Sequence, residues 1–486
     1  MAEYFTIQLL INNEEVQTDT YSELRDPGRL SDVVGSIAQG TIEHVEQAVQ
    51  AAHAAFQLWR RTNLSERSAL LLQAAELLER ESSDLATILA RETGVILATF
   101  KGELAQAVNA IRTTVEAAQP FFEPKQIEDQ QSWVSVEKRP LGVIAGIVPW
   151  NAPMVLTMQK LAPALVTGNT IVIKPSPNAP IAVSIILRKI ASLFPPGVIN
   201  VIHGGADVGS TLTTHPLVRK ISFTGGAAVA KFVMKDAAAS LKRVHFELGG
   251  NDPAIVLEDA KVEEVVPKII HSAFRRSGQV CYAIKRVYIP ETIYGAFVEK
   301  ACEQINRFTI GHGLHENATL GPLNNKMQYD FVKGLVERTK QSSAEVLELG
   351  TKLEPEQWDN GYYVHPAVVL HPDPRQEVVS CEQFGPVLPF VSYRTEEEVI
   401  RMANDTEYGL SSSVWSSDFE HALRVARQIE AGMTYINEHG LSALGRKQIP
   451  FGGVKQSGIG RENTDVGLAE YIEYHGINFH KPVYVH

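Results

Sequence analysis

Length, composition and charge bound the problem before any motif does. The chain has 486 residues, 44% of them hydrophobic and 21% charged, enough for two or three globular domains with large cores. Its formal charge of −11 argues against nonspecific attraction to nucleic acid or anionic membranes, and its three cysteines, Cys281, Cys302 and Cys381, form no disulfide framework, which points to a reducing, cytoplasmic setting.

Met1 to Gln17 lacks a basic start and carries Glu14 and Glu15, so no targeting segment is expected there. Residues 42 to 118 read as helices, because Val45, Val49, Ala52 and Phe56, and then Leu70, Leu71, Ala74, Leu77 and Leu78, recur at helical spacing. Pro120 to Gln131 reads as a polar break. After it, Trp133, Ser135 and Glu137 alternate with Val134, Val136 and Lys138, the period of an extended strand or arm that pairs with another segment or subunit.

From Leu141 the pattern changes to short apolar strands, at 142–148, 170–173, 198–202 and 220–223, separated by helices at 154–166, 180–193 and 206–213. That is the signature of a doubly wound parallel sheet. The most apolar stretch, Leu141 to Ile173, is broken by Pro149, Asn151, Pro153, Lys160 and Pro163, so it reads as buried pieces and not as a membrane span. A second alternation runs from Ala254 to about Asn437, with strands at 254–257, 286–289 and 387–392 and helices at 261–274, 292–306 and 395–403. Two such sheets imply two domains and a cleft, and open α/β sheets bind ligands at the carboxyl ends of their strands.

The glycine fingerprint of dinucleotide binding is absent, since neither Gly204, Gly205 and Gly209 nor Gly225, Gly226 and Ala230 have its pattern. Ile221 to Gly226 nevertheless runs from a strand directly into a helix over 227–241, whose N-terminus favours a phosphate; a plain strand-to-helix turn is the alternative. No metal spacing and no Walker loop occur, so neither a metal nor nucleotide hydrolysis is expected. Cys281 follows a turn of small residues, Ser277-Gly278-Gln279-Val280, and taken alone is either a buried small hydrophobe or a nucleophile. Glu247 closes the apolar run Val244 to Leu248, a costly place for a carboxylate unless it is paired or functional.

Six motifs in order resemble the aldehyde dehydrogenase superfamily, and the resemblance covers essentially the whole chain. They are Pro149-Trp150-Asn151, with Lys160, Pro163-Ala164-Leu165 and Gly168-Asn169 beyond it; Ile173-Lys174-Pro175-Ser176; Phe246-Glu247-Leu248-Gly249-Gly250-Asn251; Gly278-Gln279-Val280-Cys281; Glu382-Gln383-Phe384-Gly385-Pro386; and Pro450-Phe451-Gly452-Gly453 followed by Ser457-Gly458. The resemblance implies an α/β fold with a Rossmann-like cofactor domain (1–119 and 141–246), a second α/β catalytic domain (247–464), and a small β-arm oligomerisation region (120–140 with the tail 465–486). It implies oxidation of an aldehyde to the acid, with Cys281 as nucleophile, Glu247 as general base and Asn151 as oxyanion donor. NAD or NADP would be held by Trp150, Lys174, Ser176, Pro177, Gly225, Gly226, Leu248, Glu382 and Phe384.

Two departures qualify that picture. Gly226 and Ala230 stand where the family usually has a serine and a glycine, so pyrophosphate binding would lean on backbone N–H groups. Pro177 stands where NAD-preferring relatives often carry a ribose-binding glutamate, so NADP is expected to be accepted as well. An acylating branch that passes the thioester to coenzyme A generally lacks the general-base glutamate, and a catalytically dead relative would lack the cysteine or the glutamate; both residues are present. The resemblance also implies a homo-oligomer, a dimer or a dimer of dimers, through the arm and the segment Tyr471 to Val485. It leaves the aldehyde open: Trp150, Met154, Tyr282 and the loop from Glu438 to Ile449 would shape its pocket. In that loop Arg446 and Lys447 are either a solvated basic pair or a greeting for an anionic substrate.

Overall fold

A computed structural model describes residues 3–481; the last four positions of the tail segment read to Val485 lie outside the described residues. The chain builds two large sheets. The first has eight strands, of which Val143–Ile147, Thr170–Lys174, Ile199–Val201, Val218–Thr224 and Arg243–Glu247 are parallel. In chain order these five lie 3-2-1-4-5 across the sheet, so the strand order reverses between Val143–Ile147 and Val218–Thr224. That reversal opens a crevice at the carboxyl ends, the place where doubly wound sheets hold dinucleotides. The pattern was readable because these strands are buried on both faces: every residue of Thr170–Lys174 is buried, as a β-branched run in a helix-covered sheet must be.

The second sheet has seven strands, in the order Glu345–Glu348, Ala367–Leu370, Val387–Tyr393, Ile284–Pro290, Asp252–Val256, Ser411–Trp415 and Met433–Ile436. All of its pairings are parallel except the first. Helices such as Val262–Phe274 cover it, burying Val265, Val266, Ile269, Ile270 and Ala273 at helical spacing. The strand Gly458–Ile459 crosses back to pair antiparallel with Arg243–Glu247 of the first sheet.

Three differences from the sequence reading have physical causes. Strands begin at Phe5, well before the first expected element, and Leu9–Ile11 joins the edge of the first sheet; strands of three residues are too short to show a period. Pro120 to Gln131 is not a break. The helix Leu97–Phe121 carries Pro120 in its last turn, where it removes a single hydrogen bond just before the helix ends, and Lys125–Glu128 is a strand paired with Ser132–Pro140 across a turn held by Asp129, which accepts from the N–H groups of Gln131 and Ser132. The helix expected over 227–241 ends at Ala238, because Leu241 takes a left-handed φ of 51°. The arm strand Ser132–Pro140 pairs along its length with Ile472–His480, both from this one chain. Among the described residues no helix is long and apolar enough to cross a membrane, and no cluster of three acidic, histidine or cysteine side chains is arranged to hold a metal.

Candidate active site

The carboxyl edge of the first sheet collects most of the residues singled out above. Trp150 and Asn151 follow Val143–Ile147, Lys174 ends Thr170–Lys174, Gly225 and Gly226 follow Val218–Thr224, and Glu247 ends Arg243–Glu247 with Leu248 next. Burial pushes the Lys174 ammonium down to about 8, against the pull of Asp207. Ser176 spends its hydroxyl on the turn after the strand, accepting from Asn178 N–H at 3.2 Å, and Pro177 is exposed. Gly225 N–H donates to the Glu247 carbonyl at 3.0 Å, Leu248 N–H donates to the Ser457 carbonyl at 3.0 Å, and a side chain at Gly226 would meet nothing within 4 Å. The open space at Gly226, at the head of the helix Ala227–Ala238, fits an approaching phosphate.

The second sheet contributes the cysteine. Cys281 is half-buried just before the strand Ile284–Pro290, at the end of a tight turn in which Arg276, Ser277 and Gly278 all have positive φ, of 54°, 54° and 75°. A side chain at Gly278 would lie 2.1 Å from the Gly385 carbonyl oxygen, so only glycine fits. The strain at the two non-glycine residues is held by many bonds. Ser277 Oγ donates to Gly321, Gln279 accepts from Asn324 N–H, and Arg276 both donates to the Asn151 carbonyl at 2.7 Å and pairs with buried Glu103. Glu103 in turn accepts from Met154 and Val155 N–H at the start of the helix Pro153–Val166. One brace thus ties the cysteine loop of the second sheet to the asparagine loop of the first. The Asn151 amide donates one hydrogen to the Gln279 carbonyl at 3.1 Å and has a second to give.

Burial pushes the Cys281 thiol up to about 12, despite the Lys285 ammonium, which donates to the Val280 and Cys281 carbonyls at 2.8 Å each. The thiol at rest is therefore neutral. Glu247 is 3% exposed, and neither carboxylate oxygen has a hydrogen-bond partner. Burial, reinforced by Glu462, holds its pKa well above the usual carboxylate range, with Lys160 and Arg461 pulling the other way. A group so placed is an effective proton acceptor near neutral pH.

Glu382 and Phe384 face the first sheet from the second. Glu382 accepts from Gly250 N–H at 3.2 Å and lies 3.3 Å from Lys285 Nζ. A side chain at Gly249 would come within 1.9 Å of its Oε2, which explains the glycine there. The Phe384 ring meets Trp150 edge-on at 5.5 Å between centroids. Lys174, Trp150, Glu382, Phe384 and the space at Gly226 together suit a dinucleotide lying across the crevice.

Residues 14–477 match the aldehyde dehydrogenase family. The chain belongs to the aldehyde dehydrogenase family. A glutarate-semialdehyde dehydrogenase of Pseudomonas putida is 35% identical over 478 residues, covering 97% of each chain. The crystal structure of a Staphylococcus aureus betaine aldehyde dehydrogenase in complex with NAD+ superposes with a TM-score of 0.92 at 29% identity, over 97% of this chain and 94% of that one. An E. coli NADP-dependent enzyme superposes with a TM-score of 0.93 at 32% identity, over 98% of each chain. As a member of the family, this protein is an oxidoreductase that converts aldehydes to carboxylic acids with NAD or NADP.

Within the dehydrogenase fold, one charged residue beside the cysteine escaped the motif reading. Arg275 is mostly buried, donates to the Tyr282 hydroxyl at 2.8 Å, and has an Nε–H with no partner. It stands against the wall formed by Tyr282, Tyr435 and Phe451, which packs around Cys281. Its signal was visible as an arginine pair in the apolar run before the cysteine motif. Arg446 and Lys447, the pair that was noticed, are exposed on the short helix Ala443–Gln448, and Lys447 is bound to Glu116 at 2.9 Å.

Proposed function

We propose that the protein is a hydrolytic aldehyde dehydrogenase with Cys281 as nucleophile, Asn151 as oxyanion donor and Glu247 as general base, acting on an aldehyde that carries an anionic group. The observation that carries the reading is the convergence, from two sheets, of a neutral thiol on a braced turn, a spare amide hydrogen and an unpaired buried carboxylate.

Glu247, with its raised pKa, accepts the thiol proton, and the thiolate adds to the carbonyl carbon as the carbonyl electron pair moves onto oxygen. Asn151 Nδ2–H and the Cys281 N–H hold that oxyanion; losing one such donor costs about 3 to 4 kcal/mol of barrier. The dinucleotide, when bound by Trp150, Lys174, Glu382, Phe384 and the backbone around Gly225 and Gly226, supplies the acceptor for the hydride that leaves, so that a thioester remains on Cys281. Glu247, once it has released the thiol proton to solvent, takes a proton from the water that attacks the thioester, and that proton returns to the Cys281 thiolate as it leaves. Pro177 presents neither the reward to a free ribose hydroxyl nor the repulsion of a 2′-phosphate that a carboxylate would, which supports use of both cofactors. Arg275 is the counter-charge for the substrate's far end, in keeping with a semialdehyde acid of the kind named for the Pseudomonas relative.

The two chemical roles separate in two variants. Cys281→Ala is expected to bind cofactor and release no reduced cofactor, even in the first turnover. Glu247→Gln is expected to give a burst of at most one reduced cofactor per site, with an acyl adduct on the Cys281 peptide by mass spectrometry, and then to stall. Steady turnover by Cys281→Ala overturns the covalent reading; steady turnover by Glu247→Gln that requires coenzyme A moves the protein to the acylating branch. The three-stranded sheet, whose outer strands Lys125–Glu128 and Ile472–His480 are largely exposed with one free edge each, is assigned to homo-oligomer assembly. A monomer of 53.5 kDa by light scattering at micromolar concentration would refute that assignment.

A further inference from the structure

A buried cation beside Cys281 takes no part in the steps above. Lys285 is the second residue of the strand Ile284–Pro290, and its side chain, 3% exposed, reaches back to the nucleophile turn. An ammonium has three N–H donors, and three acceptors surround this one. The Val280 and Cys281 carbonyls accept at 2.8 Å each, and Glu382 Oε1 lies at 3.3 Å. The same Oε1 accepts from Gly250 N–H, so neither contact uses Oε2. The main chain of Lys285 joins in as well: Gln383 Nε2 donates to its carbonyl at 3.3 Å, and the Phe384 ring centroid lies 5.9 Å from Nζ. Phe384 has a left-handed φ of 46°, which a bulky residue adopts only where its surroundings impose it. Gln328 Nε2 helps to impose it, donating to the Gln383 and Phe384 carbonyls at 3.1 and 3.0 Å. Two turns, one carrying the cysteine and one carrying Glu382 and Phe384, thus converge on a single charged nitrogen. A buried lysine is costly unless it is paired, and this one is paired across both.

We propose that Lys285 is a positioning residue that sets Glu382 and Phe384, and with them the nicotinamide end of the cofactor, against the adduct on Cys281. It does so by binding Glu382 and the backbone of the nucleophile turn at once. This rests on the reading of Cys281 as nucleophile and Glu382 as a cofactor contact. Hydride transfer needs its donor and acceptor carbons at one spacing, and a misplacement of about 1 Å can cost about 10²-fold. Here the donor is carried by the cysteine turn and the acceptor is held by the Glu382 turn, so the spacing depends on what joins those turns. Charge-assisted hydrogen bonds in a buried site are short and directional, which makes Lys285 a stiff joint. With Oε1 anchored between Lys285 and Gly250, Glu382 keeps one rotamer and leaves Oε2 for the cofactor. A second consequence is electrostatic. Burial holds the Cys281 thiol un-ionised, Lys285 works against that, and Glu247, Glu382 and Asp252 reinforce it; Arg275 faces the same thiol. Loss of Lys285 therefore makes the thiol harder to ionise even with no cofactor bound.

The test uses Lys285→Met, which keeps the stem and loses the charge, and Lys285→Gln, which keeps N–H donors for the carbonyls, beside Glu382→Gln and the Lys285→Met/Glu382→Gln double variant. Titration calorimetry without aldehyde is expected to show cofactor binding about tenfold weaker in Lys285→Met, similarly weaker in Glu382→Gln and no weaker still in the double variant, because residues acting through one contact are not additive. With glutarate semialdehyde the burst of Lys285→Met is expected to keep its amplitude and slow by about 10- to 100-fold, and its isotope effect with aldehyde deuterated at the carbonyl carbon to grow. Alkylation of Cys281 by iodoacetamide, followed on its peptide in cofactor-free enzyme at about pH 9, is expected to fall by about tenfold or more in both Lys285 variants, since a nearby opposite charge favours the ionised form by at least that much. A merely structural role would lower burst amplitude and thermal midpoint together and leave the burst rate and isotope effect of the surviving enzyme at wild-type values; that outcome overturns the proposal. So do additive losses in the double variant. The two readings fail differently: a Glu382→Gln enzyme that binds cofactor as tightly as wild type removes the cofactor contact and the role of Lys285 with it, whereas a weakened Glu382→Gln beside an unimpaired Lys285→Met removes only the role of Lys285.

Discussion

Replacing Arg275 tests the substrate class without disturbing the chemistry at Cys281. In Arg275→Met the volume and the apolar stem are kept while the guanidinium is lost. In the structure that guanidinium makes one side-chain hydrogen bond, to the Tyr282 hydroxyl at 2.8 Å, and its buried Nε–H has none, so it has a donor to offer a carboxylate. A hydrogen bond to a charged group contributes about 1.5 to 3 kcal/mol, which is about 10- to 150-fold in kcat/KM. The variant also releases the Tyr282 hydroxyl, and that cost falls on every substrate alike. The informative quantity is therefore a ratio: kcat/KM for glutarate semialdehyde divided by kcat/KM for pentanal, a neutral aldehyde of the same chain length. In Arg275→Met this ratio is expected to fall by about 10- to 150-fold, and in Arg275→Lys by less, because an ammonium keeps the charge without the planar fork. A ratio that stays within about twofold of wild type, however much both activities drop, would show that Arg275 does not meet the substrate's anion.

Two further perturbations follow from distances and charge. Gly249→Ala puts a methyl group 1.9 Å from Glu382 Oε2 and must displace the carboxylate from Gly250 N–H and Lys285, so the KM for cofactor should rise by about tenfold while KM for aldehyde changes little; an unchanged cofactor KM would be incompatible with Glu382 as a cofactor contact. The Cys281 thiol, held up to about 12, ionises only as pH rises towards that value, so in the enzyme without cofactor its alkylation by iodoacetamide should climb about tenfold per pH unit through about pH 10; a plateau near pH 9, as for an ordinary thiol, would refute the burial effect.

What the sequence made legible depended on how a segment is buried. The strands read at 170–173 and 254–257 correspond to Thr170–Lys174 and, shifted by one or two residues, to Asp252–Val256, because both faces of each are covered and every position must be apolar or satisfied. Phe5–Ile7 and Leu9–Ile11 carry too few residues to show a period, and Lys125–Glu128 is exposed throughout, so neither packing nor pattern announced it. The motif residues were found by their order along the chain, yet their partners were not. Nothing in the spacing of Glu103, Asn151 and Arg276 foretells the brace that ties the two sheets together beside Cys281.

The arginines show why the remainder stayed hidden. Arg275 and Arg276 are adjacent, of one type and set in the same apolar run, and a sequence cannot divide labour between them. The backbone does. Arg276 has a left-handed φ of 54° and its guanidinium is consumed by Glu103 and the Asn151 carbonyl, whereas Arg275, one residue earlier at the end of the helix Val262–Phe274, lies over the Tyr282 ring with a donor unspent. Arg446 and Lys447 stood out in the sequence because their loop is polar, and that same polarity reflects their exposure to water, where a charge binds an anion weakly.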